Sequence, residues 1–223
     1  MASLACATFG SHAAPVVFTG SLYETTATAI ADATADVKSG SSDAAPLPLL
    51  TNALAFDGSN YAAGTAIATA GLLSTTAEAS GLSGFASASG SGTYTGEFAG
   101  GGNFTFQFNY TSENFGSAGT YADSTLSFLL TNSTGTLVST IVPVNDNYSF
   151  SLFIPSGTSN TFSLSLTSEA TAFVGGDALN VASVGFQVTA VPEPTTWLLM
   201  LAGILLVAFK ARPASRWRDT LAA

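Results

Sequence analysis

From position 103 onward the chain alternates. Asn103-Phe-Thr-Phe-Gln-Phe-Asn-Tyr-Thr111 sets Phe104, Phe106, Phe108 and Tyr110 on one side and polar residues on the other, the two-residue period of a strand with one buried face. Similar runs follow at 124–132, 136–142, 148–154, 161–167 and 179–191, each bounded by Gly, Pro, Asn or Asp. Their spacing is roughly 12 residues, and Asn132-Ser-Thr-Gly135 and Pro155-Ser-Gly157 read as hairpin turns between them. Short strands at this interval predict an all-β fold, an antiparallel β-sandwich of jelly-roll-like kind, rather than a parallel sheet.

Before Gly92 the texture differs. Residues 24–92 mix Ala, Thr, Ser and Gly in stretches such as Thr25-Thr-Ala-Thr-Ala-Ile-Ala-Asp32. Alanine content favours helix, whereas alternating Thr and Ala puts the β-branched residues on one face and favours strand. The expectation is additional strands joined by long loops at 39–48 and 56–64, with disorder as the alternative. The ectodomain is thus assigned to 14–190, of which 14–92 is the Ala/Ser/Thr/Gly-rich part.

The end of the chain has another pattern. Trp197-Leu-Leu-Met-Leu-Ala-Gly-Ile-Leu-Leu-Val-Ala-Phe209 is apolar on every face and is followed at once by Lys210 and Arg212. A helix from Pro194 to Phe209 is roughly 24 Å long, short of the ~30 Å hydrocarbon core, a gap that Lys210 and Arg212 cover by snorkelling while Trp197 sits at the other interface. The expectation is one C-terminal transmembrane helix over 195–209, with the basic tail 210–218 in the cytoplasm. Pro194 suits the first turn of such a helix.

Val191-Pro192-Glu193-Pro194, an apolar helix and a short Arg-rich end, in that order over 191–218, resemble the PEP-CTERM sorting signal of Gram-negative bacteria. The resemblance implies an exosortase-type membrane protease as partner, with Pro192, Glu193 and Pro194 as recognition residues. It also implies a precursor anchored in the inner membrane by a single pass, then a cell-surface or extracellular-matrix location. Proteins with this signal are usually associated with extracellular polysaccharide, biofilm or floc.

Residues 1–13 read as the remnant of a signal peptide, without a basic n-region but with small residues at Ser11 and Ala13 suited to cleavage before Ala14, and with the true start codon expected upstream. Ser3-Leu-Ala-Cys6 is a poor lipobox, since it lacks an apolar residue at Ser3.

Charge and chemistry narrow the function classes. Between 14 and 190 there are twelve acidic residues and one lysine, a net charge of −11, which repels phosphate and argues against nucleic acid. Cys6 and His12 are the only residues of their kinds, so the mature chain offers no His-based triad, thiol nucleophile or His/Cys zinc site. Glu97, Glu113 and Asp123 are scattered carboxylates that no spacing pairs. Asp57-Gly-Ser-Asn60 and Asn145-Asp146-Asn147 are oxygen-rich turns without the pattern of a calcium loop. No catalytic, cofactor-binding or metal residue is assigned, and no enzymatic activity is expected. The leading expectation is a structural or adhesive surface protein. The alternative is a carbohydrate-binding module with a platform drawn from Tyr61, Tyr94, Tyr110, Tyr121 and Tyr148, of which Tyr110 shares the face of the core phenylalanines.

Overall fold

The computed structural model describes residues 14–43, 48–144, 147–191 and 200–207. Among them are thirteen strands: β1 (Ala14–Pro15), β2 (Gly20–Ala31), β3 (Thr34–Ser42), β4 (Leu49–Asp57), β5 (Asn60–Thr69), β6 (Leu72–Gly81), β7 (Ala86–Ala99), β8 (Gly102–Gly116), β9 (Tyr121–Asn132), β10 (Gly135–Val142), β11 (Asn147–Ile154), β12 (Ser159–Ala172) and β13 (Gly176–Val191). One sheet runs β11-β8-β13-β6-β5-β4, with β1 added beside β13; the other runs β10-β9-β12-β7-β2-β3. Every pairing is antiparallel. The sheets face each other, β2 over β4 and β5, β7 over β5 and β6, and β12 over β6 and β13. This is the two-sheet sandwich expected from the alternation.

The core changes character along the strands. At one end the inward residues are large: Tyr23, Tyr94, Phe98, Phe104, Phe106, Phe108, Phe128 and Phe162 form one continuous cluster with leucines and valines. At the other end nearly all are alanine, among them Ala29 and Ala31 of β2, Ala53 and Ala55 of β4, and Ala170 and Ala172 of β12. Sheets normally stack about 10 Å apart because ordinary side chains fill the gap. Here the alanine end lets the backbones close further. A Cβ on Gly64 would lie 2.2 Å from the Ser89 carbonyl oxygen of the facing sheet, and one on Gly90 2.2 Å from that of Thr65. The sandwich is a wedge, thick at the aromatic end and thin at the alanine end.

Buried hydroxyls lie where the clusters meet. Thr25 and Thr51 share a 2.5 Å hydrogen bond across the sheets, Thr75 and Ser168 one of 2.6 Å, and the Tyr110 hydroxyl one of 2.8 Å with Ser124. Each pair satisfies two groups that would otherwise be costly to bury.

The Ala-rich segment before Gly92 is strand, β2 to β6 and half of β7, and Gly92 itself lies inside β7 rather than at a boundary. The long loop expected at 56–64 is corrected: Asp57 pairs with Asn60 across a two-residue hairpin turn, with Gly58 at φ 60°, a positive φ that glycine adopts without strain. The loop expected at 39–48 begins later, since β3 continues to Ser42.

A helix, α1, is described over 200–207, and every one of its residues is exposed. Among the described residues no helix is long and apolar enough to cross a membrane, so the expected span over 195–209 is not shown; its remaining residues lie outside the described ones.

A candidate contact surface at the thin end

The order of strands places the two ends of the sandwich segment. Ala14 pairs with Ala190, and Val191 closes β13 opposite Asn103 at the start of β8. Both ends of the sandwich segment therefore leave from the thick, aromatic end. The expected recognition residues Pro192, Glu193 and Pro194 and the expected anchor flanks Trp197, Lys210 and Arg212 lie outside the described residues, as do Asn145 and Asp146. The thin end, made of the turns at 32–33, 58–59, 82–85, 117–120 and 173–175, points away from Ala14 and Val191.

Side chains lock that end. Asp32, at φ 41°, accepts from Phe85 N–H at 2.9 Å and also from the Asn60 amide. Asn60, 2% exposed, accepts in turn from the N–H groups of Ser83 and Gly84 at 2.9 and 3.0 Å. Asp57 accepts from Ala33 N–H at 3.2 Å. In the oxygen-rich turn at 57–60, Asp57 Oδ2 and Asn60 Oδ1 thus accept from neighbouring backbone. Among the described residues no three His, Cys, Asp or Glu side chains converge.

On the outer face of the first sheet, towards this end, the register aligns two rows of side chains. Phe56, Tyr61, Ser80 and Asp177 form one; Leu54, Ala63, Glu78, Leu179 and Phe115 form the next. Phe56 and Phe115 are 57% and 56% exposed, and Phe56 packs on Tyr61 with centroids 5.1 Å apart. Glu78, Ser80, Phe115, Ser117, Asp177 and Leu179 line an open depression of about 610 Å3. Ser80 donates to Asp177 at 2.6 Å, and the Tyr61 hydroxyl donates to Glu78 at 3.4 Å. The Tyr61 phenol is held above its usual pKa by partial burial and then by the Glu78 charge. An exposed ring flanked by carboxylates and hydroxyls can stack on an apolar ligand face and bond its polar edges.

The tyrosine platform expected from the sequence is not assembled. Tyr94 and Tyr110 are 3% and 1% exposed in the core, and Tyr148 packs half-buried against it. Tyr121 lies on the second sheet, where its hydroxyl meets Asp123 at 3.2 Å. Glu97, Glu113 and Asp123 lie on three different strands, β7, β8 and β9. The residues that sequence reasoning missed are Phe56, Glu78, Phe115 and Asp177. Their signal was the strand register, which brings them together from four strands.

Residues 190–216 match the PEP-CTERM protein-sorting motif. The chain carries a PEP-CTERM sorting motif. Such a motif marks an exported protein processed by exosortase in a membrane. In this PEP-CTERM chain the motif begins at Ala190, inside the last strand, so sandwich and sorting signal overlap without a spacer. No curated protein matches the chain. Two solved structures of infectious bursal disease virus, from the Gt and Gx strains, align over 90% and 87% of this chain and 75% and 74% of theirs, at 10% identity and TM-scores of 0.12 and 0.11. Likeness at that level carries no argument about fold or function.

Proposed function

We propose that this protein is a non-catalytic component of the cell surface or extracellular matrix, structural or adhesive. Its sorting signal holds the thick end at the membrane until exosortase acts at Pro192-Glu193-Pro194. The observation that carries the reading is the overlap of the PEP-CTERM motif with the end of β13. That end of the sandwich also holds β1, so the thin end is presented outward. The apolar run 197–209 with Lys210 and Arg212 behind it supports a single pass with the C-terminus in the cytoplasm.

Fractionation of cells that possess exosortase tests delivery. Replacing Pro192, Glu193 and Pro194 with alanine leaves the apolar run intact, so the variant inserts but stays full-length, whereas deleting 197–223 releases the sandwich unanchored. Equal processing of the alanine variant and the wild type sinks the proposal.

The second reading, a carbohydrate-binding module, is favoured by the depression around Phe115 with Glu78 and Asp177 on its walls. Saturable retention on insoluble polysaccharide, lost in Phe115→Ala, supports it. Retention that does not saturate supports the structural reading.

A further inference from the structure

A sheet edge offers unpaired N–H and C=O groups to any other strand, and folded proteins blunt such edges with charges, bulges or covering groups. Four strands stand at edges here, β3 and β4 on one side and β10 and β11 on the other. Three are defended. β3 carries Lys38, paired with Asp36 at 3.0 Å. The same Asp36 accepts from Leu54 N–H of β4 at 3.1 Å. β10 is bulged between Thr136 and Val138. Even the stretches of β8 and β9 that outrun β11 and β10 carry Glu113 and Asp123.

β11 has no such device. Asn147-Tyr-Ser-Phe-Ser-Leu-Phe-Ile154 is uncharged, free of Pro and Gly, and paired with β8 in unbroken register, the composition of a segment prone to pair with another strand. The core behind it is also unfinished. Tyr148, Phe150 and Leu152 point inward yet are only partly buried, as are Leu137 and Val138 of β10, whereas Phe106 and Phe108 one strand further in are 0% and 2% exposed.

We infer that this edge is closed by the same edge of a second copy, β11 against β11 in antiparallel pairing, giving a sheet continuous through both chains. The strand is its own complement. Centred on Phe150, the pairing sets Tyr148 opposite Leu152 and Ser149 opposite Ser151, so inward residues meet inward residues. The two-fold axis also brings both copies of Leu137 and Val138 over the joint. Charge points to the same partner. From Ser124 to Ser168 the only Asp, Glu, Lys or Arg is Asp146, in a domain of net charge −11. Two acidic copies therefore meet here with little repulsion.

The segment 14–191 holds all thirteen strands and both core clusters and serves for the test. Sedimentation velocity over a concentration series shows a monomer–dimer equilibrium, and amide exchange at 147–154 slows as the dimer fraction grows while that of β4 does not change. Ser149→Glu with Ser151→Glu sets glutamates opposite each other at both symmetric positions and weakens the dimer by about tenfold or more, with an unchanged circular dichroism spectrum. Asn52→Glu on β4 leaves the dimer constant unaltered. A monomer at every concentration overturns the inference, as does a dimer whose β11 amides stay unprotected. Should the double variant misfold, the wild-type exchange data decide alone.

Discussion

Glycine and alanine act at single positions here by the space they leave. Gly64 and Gly90 sit where a methyl group would enter the facing backbone at 2.2 Å, whereas at Gly92 the nearest atom would be 3.5 Å away, an ordinary contact. Overpacking a tight site costs about 1–3 kcal/mol or more, and relieving glycine entropy in a strand returns roughly 0.5–1 kcal/mol. Gly64→Ala and Gly90→Ala should therefore lower stability by about 1–2 kcal/mol or more, while Gly92→Ala should be neutral or slightly stabilising in urea unfolding. A second prediction concerns Tyr23, Tyr94 and Tyr110, whose phenols burial holds above their ordinary pKa of 10.0. Above that value the unfolded chain releases protons that the folded chain keeps. The stability these groups contribute is complete below about pH 10 and declines as pH rises towards their folded values. Melting temperature should fall in that range together with the rise of phenolate absorbance, and a flat profile would count against buried tyrosines.

Strands β3 and β4 belong to different sheets yet are tied by Asp36, whose carboxyl is held below its usual pKa of 3.8 by the Lys38 hydrogen bond first and the Leu54 N–H second. A depressed pKa means that the contact is present above the unfolded value and is lost as pH falls through the folded one. The window is below about pH 4. Exchange at the Leu54 amide, corrected for its intrinsic pH dependence, should accelerate there, and Asp36→Ala should give the fast rate already at neutral pH. An unchanged rate in the variant would mean that something other than Asp36 covers this edge.

For the sandwich as a whole, the wedge separates an aromatic end, from which both ends of the 14–191 segment leave, from an alanine end closed by Asp32, Asp57 and Asn60. Because both Asp32 oxygens, Asp57 Oδ2 and Asn60 Oδ1 already accept hydrogen bonds, and no three carboxylates converge among the described residues, no calcium binding is expected in these turns. Thermal melts of 14–191 in calcium and in chelator should nearly coincide, apart from weak screening of the −11 charge. A shift of several degrees would place a calcium site on this chain and overturn that account of the turns.

The alternation of Phe104, Phe106, Phe108 and Tyr110 was enough to predict strands, a buried face and a sandwich, because a two-residue period has only one structural meaning when one side is large and apolar. The Pro-Glu-Pro tail was legible for a similar reason, as its parts stand next to one another in the chain. Leu49–Asp57 could not be read in this way. There Leu50, Leu54 and Phe56 face outward while Thr51, Ala53 and Ala55 are buried, the reverse of what side-chain hydrophobicity alone selects. The choice depends on the distance to the opposite sheet, which Gly64 and Gly90 set from other strands and which leaves no room for a leucine. The surface of Phe56, Glu78, Phe115 and Asp177 likewise exists only through register between strands far apart in sequence. Local periodicity determined which residues could form strands, and the contact of one sheet with the other decided which face of each thin-end strand went inside.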